Sequence, residues 1–150
     1  MSNPKAVIFG CHTTRLLPEE KEFFQRTDPL GFILFARNCE TPEQIKQLVS
    51  DLRNTLGRPD APILIDQEGG RVARLTSPHW RTAPPAGTFG LMAEEDPEKA
   101  SWCVRANAWL IGQELKELGV SVNCAPVVDV LDNMTHPIIG DRAFSHNPEV

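Results

Sequence analysis

Short apolar runs alternate with longer amphipathic segments along this 150-residue chain, the pattern of strands and helices taken in turn. Lys5 to Phe9, ending at Gly10, predicts a first buried strand. From Pro18 to Gln25, Phe23 and Phe24 form an apolar face behind an acidic first turn, which predicts a helix with proline at its start. Gly31 to Phe35 is a second strand, closed by the polar Arg37-Asn38. Thr41-Pro42-Glu43-Gln44 then reads as an N-cap, a first-turn proline and a capping-box partner at Gln44. In the helix that follows, Ile45, Leu48, Val49, Leu52 and Leu56 recur at three- and four-residue intervals, and Gly57 is the stop.

Ile63 to Ile65 is a third strand, entered through Ala61-Pro62. The stretch Thr76 to Leu91 holds Pro78, Pro84 and Pro85 with Trp80 and Phe89, which predicts a long structured loop and not a helix. Asp96-Pro97 opens another helix, in which Ala100, Val104, Ala108, Ile111, Leu115 and Leu118 keep helical spacing up to Gly119. Trp102 and Trp109 lie seven apart on one face, and core packing is expected of them. Val120 to Ala125 is a fourth strand, with Val127 to Val130 as its continuation or its loop, and Leu131 to Val150 is a polar tail.

Strand and helix alternating in this way predict an α/β fold of parallel strands joined by right-handed crossovers. Two architectures fit it: an open doubly wound sheet, or part of an eight-fold barrel in which sites lie at the carboxyl ends of strands. Arg37-Asn38, Asp66 and Asp129 all lie at or past such ends and would converge on one mouth. No glycine-rich phosphate loop follows the first strand, which weakens the open-sheet, nucleotide-binding alternative.

Composition narrows the classes further. A formal net charge of -5 without a basic run argues against a nucleic-acid surface. No stretch approaches the roughly 18 apolar residues of a membrane span, and the N-terminus lacks the pattern of a secretory signal. Cys11, Cys39, Cys103 and Cys124 have no paired spacing, so free thiols in a reducing cytoplasm are expected, with no metal site.

The candidate chemistry gathers in Ile63 to Arg74, ILIDQEGGRVAR. A buried strand delivers Asp66 to its open end, and Gly69-Gly70 lets the backbone turn sharply and lie close to a ligand. Glu68 and Arg71 suit an internal ion pair that shapes the loop, and Asp129 suits loop anchoring. Asp66 and Glu68, separated by one position, need not face one substrate as a catalytic pair would. The four histidines, His12, His79, His136 and His146, read as surface or loop residues.

Four ordered blocks, Gly31 to Asn38, Asp66 to Val72 with Arg74, Asn123 to Asp129 and Ile139 to Ser145, resemble the amino-terminal half of glycoside hydrolase family 3. Within it they most resemble the cytoplasmic beta-N-acetylhexosaminidases of cell-wall (peptidoglycan) recycling. The resemblance implies a (β/α)8 TIM barrel, of which residues 1–150 supply about the first four β/α units as the amino-terminal portion of one catalytic domain. It implies a retaining hydrolase of carbohydrate metabolism that removes terminal beta-linked N-acetylglucosamine from 1,6-anhydromuropeptides. Asp66, Arg74 and Arg142 match the family's substrate-binding residues; a carboxylate accepts from hydroxyls, and an arginine fork donates in a fixed plane. No cofactor or metal is implied, and the full-length protein is expected to be a cytoplasmic monomer without nucleic-acid or membrane partners.

The family's Lys-His motif, its histidine acid/base and its aspartate nucleophile have no counterpart before Val150. No catalytic residue is therefore assigned within the chain. The end at Asn147-Pro148-Glu149-Val150 resembles a helix start, so a longer enzyme is expected, and the 150 residues alone are expected to be inactive and poorly folded. Two alternatives remain: a non-catalytic sugar-binding relative, and a beta-glucosidase of the same family.

Overall fold

The computed structural model describes residues 3–149, which fall into two compact units. The first runs to Asp66 and takes in Leu115–Asn123; the second is Gln67–Glu114 with the chain from Cys124 onward.

A four-stranded sheet organises the first unit, with β1 (Lys5–Phe9), β2 (Pro29–Leu34), β3 (Ile63–Ile65) and β4 (Val122–Asn123) in sequence order. Every pairing is parallel. The registers Leu34 to Ile65 and Ile65 to Asn123 bring the carboxyl ends of β2, β3 and β4 to one level. Between the strands lie α1 (Pro18–Thr27) and α2 (Pro42–Leu56). Phe24 stacks on Phe9 and meets Phe32 edge-on with ring centroids 4.9 Å apart, which ties α1 to β1 and β2 through aromatic contact.

Local sequence explains α2 well. The Thr41 hydroxyl accepts from the Gln44 N–H at 3.2 Å, Pro42 takes the first turn, and Gly57 closes the helix at φ 62°. Gln44 Oε1 accepts from the Glu40 N–H, one residue before the expected partner. Ile45, Leu48, Val49 and Leu52 are buried as their spacing predicts. Thr55, not Leu56, completes the stripe, because its hydroxyl is satisfied by the Asp51 carbonyl at 2.8 Å and can enter the interior without an orphan donor.

Other boundaries move. Helix α1 extends to Thr27 and is stopped by Asp28 in the left-handed region, φ 46°. Strand β2 begins at Pro29, two residues early, and ends at Leu34. Strand β4 is limited to Val122–Asn123, and Val127 to Val130 is loop. Ser121 donates its N–H to Ile63 O at 2.9 Å, but past Asn123 the chain reaches Pro126, which has no N–H for a ladder.

The second unit corrects two readings. Ala86 to Glu95 is a helix, α3, so only the first part of the proline-rich stretch is loop. Its prolines end at Pro85, which stands at the N-cap, and the ten residues after it are free of proline. Helix α3 packs so closely against the later segment that a Cβ on Gly90 would overlap Phe144 O. Helix α4 (Pro97–Glu117) is capped by Asp96, whose Oδ1 accepts from the Lys99 N–H at 3.0 Å.

The tryptophans of α4 are not core residues: Trp102 is 70% exposed and Trp109 63%. Ala100, Ile111, Leu115 and Leu118 are buried, Val104 is half-buried and Ala108 is exposed. At about 100° per residue the buried positions fall within one narrow arc, while both tryptophans point to the opposite side. Among the described residues the expected helix start at 147–149 is a turn in which Asn147 Oδ1 accepts from the Glu149 N–H; Val150 lies outside them.

Candidate functional site

Strand β3 alternates buried and half-buried side chains from Ile63, and the alternation runs on past its end. Ile63, Ile65 and Gln67 are buried while Asp66 is half-buried. Asp66 therefore stands at the carboxyl end of β3, where the period-two pattern turns it away from the core face. The first unit also places Arg37 and Asn38 at the corresponding end of β2, but both are spent on structure. Asn38 is fully buried; its amide donates to the carbonyls of Cys11 and Thr13 at 3.1 and 2.7 Å, and its Oδ1 accepts from the Phe35 N–H at 2.9 Å. Arg37 Nε donates to Cys11 O at 3.0 Å, and its guanidinium lies 4.6 Å from the Phe35 ring centre. The segment after β1 is thus clamped by the segment after β2. Burial pushes the Cys11 thiol in this clamp up to about 11, with a smaller push from Glu20.

The second unit opens with a tight hairpin. The N–H groups of Glu68 and Gly69 donate to Val72 O at 3.0 and 3.2 Å, and Val72 N–H returns to Gly69 O at 3.3 Å. Gly69 at φ 101° and Gly70 at φ 56° make the reversal possible. The close approach that glycine permits here is to the chain itself: a Cβ on Gly69 would overlap Pro84 O.

The sequence alone assigns Gln67 no role, yet this residue locks the exit of the hairpin. Its Oε1 accepts from the N–H groups of Arg74 and Leu75 at 2.8 and 3.0 Å, and its Nε2 donates to Leu75 O at 2.9 Å. The signal was present: an amide at a core-facing position of the extended alternation needs an internal partner. Arg74, held through its backbone N–H in this way, is half-buried.

Two ion pairs join the hairpin to the turn at Gly140–Arg142. Arg142 donates through Nε and Nη2 to the two oxygens of Glu68, at 2.9 and 2.8 Å. Arg71 donates through Nε to Asp141 at 2.9 Å and through Nη2 to the carbonyls of Ile138 and Ile139. Glu68 and Arg71 do shape a loop, but each does so through a partner about seventy residues away in sequence and not through the other. The Glu68–Arg142 pair is well shielded, with side chains 10% and 23% exposed, whereas Arg71 and Asp141 are nearly half exposed.

Asp129 does not anchor its loop: it is exposed and has no hydrogen bond or ion pair among the described residues. Asp132 does that instead, accepting from the Thr135 hydroxyl at 2.9 Å and the Met134 N–H at 2.8 Å, bonds that hold its carboxyl below the usual range. Its offset to the following backbone suits an Asx turn, which Asp129 lacks. All four histidines are exposed. Cys11, Cys39, Cys103 and Cys124 form no disulfide, and among the described residues no cluster of acids, histidines or cysteines could hold a metal ion. No helix among the described residues is long and apolar enough to cross a membrane.

Residues 11–150 match the glycosyl hydrolase family 3 N-terminal domain. The chain is 41% identical over 142 residues to a beta-hexosaminidase of Methylococcus capsulatus, covering 95% of this chain and 40% of that one. It is 37% identical over 144 residues to a beta-hexosaminidase of Xanthomonas campestris pv. campestris, covering 96% and 42%. It superposes with a TM-score of 0.89 on NagZ from Neisseria gonorrhoeae in complex with N-trifluoroacetyl-D-glucosamine, at 30% identity and covering 97% and 43%. A family 3 beta-N-acetylglucosaminidase from Paenibacillus sp. is similar too, with a TM-score of 0.81 at 30% identity, covering 95% and 26%. The chain thus spans about two fifths of the length of the curated relatives it matches.

Proposed function

The chain belongs to glycoside hydrolase family 3, its fold being that of the first β/α units of a TIM barrel, and from that premise we propose that it serves a beta-N-acetylhexosaminidase. The proposed reaction is retaining removal of terminal beta-linked N-acetylglucosamine from 1,6-anhydromuropeptides. Cytoplasmic action, as a monomer in cell-wall recycling, belongs to the same reading. One observation carries the assignment of sugar: at 30% identity, the Neisseria gonorrhoeae neighbour was crystallised with an N-acylated glucosamine.

In this reading Asp66 accepts hydrogen bonds from sugar hydroxyls, and Arg74 and Arg142 donate to the sugar. A carboxylate at a strand end, turned away from the core face, is suited to receive two hydroxyl hydrogens. None of the 150 residues is assigned as nucleophile or acid/base, so these residues bind and orient.

The test compares hydrolysis of a chromogenic N-acetyl-β-glucosaminide and the matching β-glucoside by the intact protein. Preference for the acetamido sugar is expected. Asp66→Ala should lower kcat/KM by about 100-fold or more, because each hydrogen bond to a charged group contributes about 1.5–3 kcal/mol. Equal turnover of both sugars would refute the hexosaminidase reading; unchanged kcat/KM in Asp66→Ala would refute the role of Asp66.

A further inference from the structure

Arginine is not a neutral choice for holding a sugar. Its guanidinium matches phosphate, sulfate and carboxylate better than it matches a hydroxyl, so an uncovered arginine in a sugar site invites anions. Arg142 is covered. Glu68 takes both Nε and Nη2 side-on at 2.9 and 2.8 Å, which fixes the guanidinium plane and sets a full negative charge against it. With the Glu68 side chain only 10% exposed, water does little to screen that carboxylate from its partner.

Arg71 is the cation within the hairpin itself, and its carboxylate is Asp141, which directly precedes Arg142 in the chain. The Arg71–Asp141 pair is nearly half exposed and solvent-screened, so it contributes little to the field at Arg142. The four charges sum to zero, and the shielded half of that cancellation comes from Glu68.

We propose that Glu68 is a specificity-determining residue: by cancelling the charge of Arg142 it makes this arginine a donor to the hydroxyls of a neutral pyranose and keeps it from taking up an anionic ligand. Glu68 touches no sugar in this scheme. It acts through Arg142, and the inference rests on the reading of Arg142 as a sugar contact given above.

The probe is inorganic sulfate competing with N-acetylglucosamine for the intact protein, against sodium chloride of equal ionic strength. In the wild type, sulfate is expected to leave the apparent Kd for the sugar unchanged within about twofold. In Glu68→Gln, which keeps the shape and removes the charge, sulfate should weaken apparent sugar binding by about fivefold or more. Competition by sulfate in the wild type overturns the proposal, as does a Glu68→Gln variant that binds sugar and ignores sulfate. Should Glu68→Gln fail to fold, Glu68→Asp takes its place: the shorter carboxylate withdraws from Nε, so weaker but measurable sulfate competition is expected, and its absence overturns the proposal. Arg142→Gln separates the two readings. If it leaves sugar binding intact, the sugar contact itself is wrong; if it abolishes binding while Glu68→Gln ignores sulfate, only the charge-masking role is wrong.

Discussion

Replacing Asn38 by alanine tests whether the clamp after β2 is as costly to break as its hydrogen bonds imply. The side chain is fully buried and satisfies three backbone groups. Cys11 O keeps a second donor in Arg37 Nε, so its loss is cushioned. The Phe35 N–H loses its Asn38 acceptor, and Thr13 O keeps only the weak Cys11 thiol contact at 3.8 Å. A buried group left unsatisfied costs about 1–3 kcal/mol, so Asn38→Ala should destabilise by about 2–4 kcal/mol in total. Asn38→Asp has the same shape and preserves the acceptor for Phe35, but it turns a carboxylate oxygen toward two carbonyls. Its cost should equal or exceed that of alanine. Urea unfolding of the intact protein, compared at constant m-value, measures both. The exposed Asn54, whose amide reaches only Ser50 Oγ, serves as control and should change stability by less than about 0.5 kcal/mol on substitution by alanine. A cost below about 1 kcal/mol for Asn38→Ala would refute the reasoning, because it would mean that the segment finds equivalent partners without the amide.

Two glycines make opposite predictions under thermal unfolding. Gly90→Ala drives a Cβ into Phe144 O and should cost about 3 kcal/mol or more. Gly112→Ala, in an exposed turn of α4 with nothing within 4 Å, should stabilise by about 0.5–1 kcal/mol. Cys11 predicts a pH dependence. Its folded thiol is raised to about 11 from an ordinary 9.0, so both states stay protonated below the lower value and stability is fully present there. Stability should then fall as pH rises through that window, because the unfolded thiol ionises first, and urea titrations should show the slope flatten in Cys11→Ala. At neutral pH a thiol reagent should label the exposed Cys124 and spare Cys11.

Local chemistry alone determined much of this protein. Thr41, Pro42 and Gly57 bound α2 as the sequence says, since a cap, a proline and a left-handed stop act within one turn of the backbone. Ile63 to Ile65 was legible for a similar reason, and the family blocks identified the chain because they fix residue types in order. The helical period of α4 even contained the orientation of Trp102 and Trp109, opposite to the buried stripe; treating large aromatic residues as core by type hid it.

Partnership across long sequence distance was what the tertiary structure alone decided. Nothing local tells Glu68 to choose Arg142 over Arg71 in its own hairpin, or shows that Asn38 will be consumed by carbonyls at Cys11 and Thr13. A charge or an amide has no periodicity to betray its partner; the partner is fixed only when the fold brings the two segments within about 3 Å. Asp66 was readable as the polar tip of a strand, and the charge balance around Arg142 became visible only once the chain had folded.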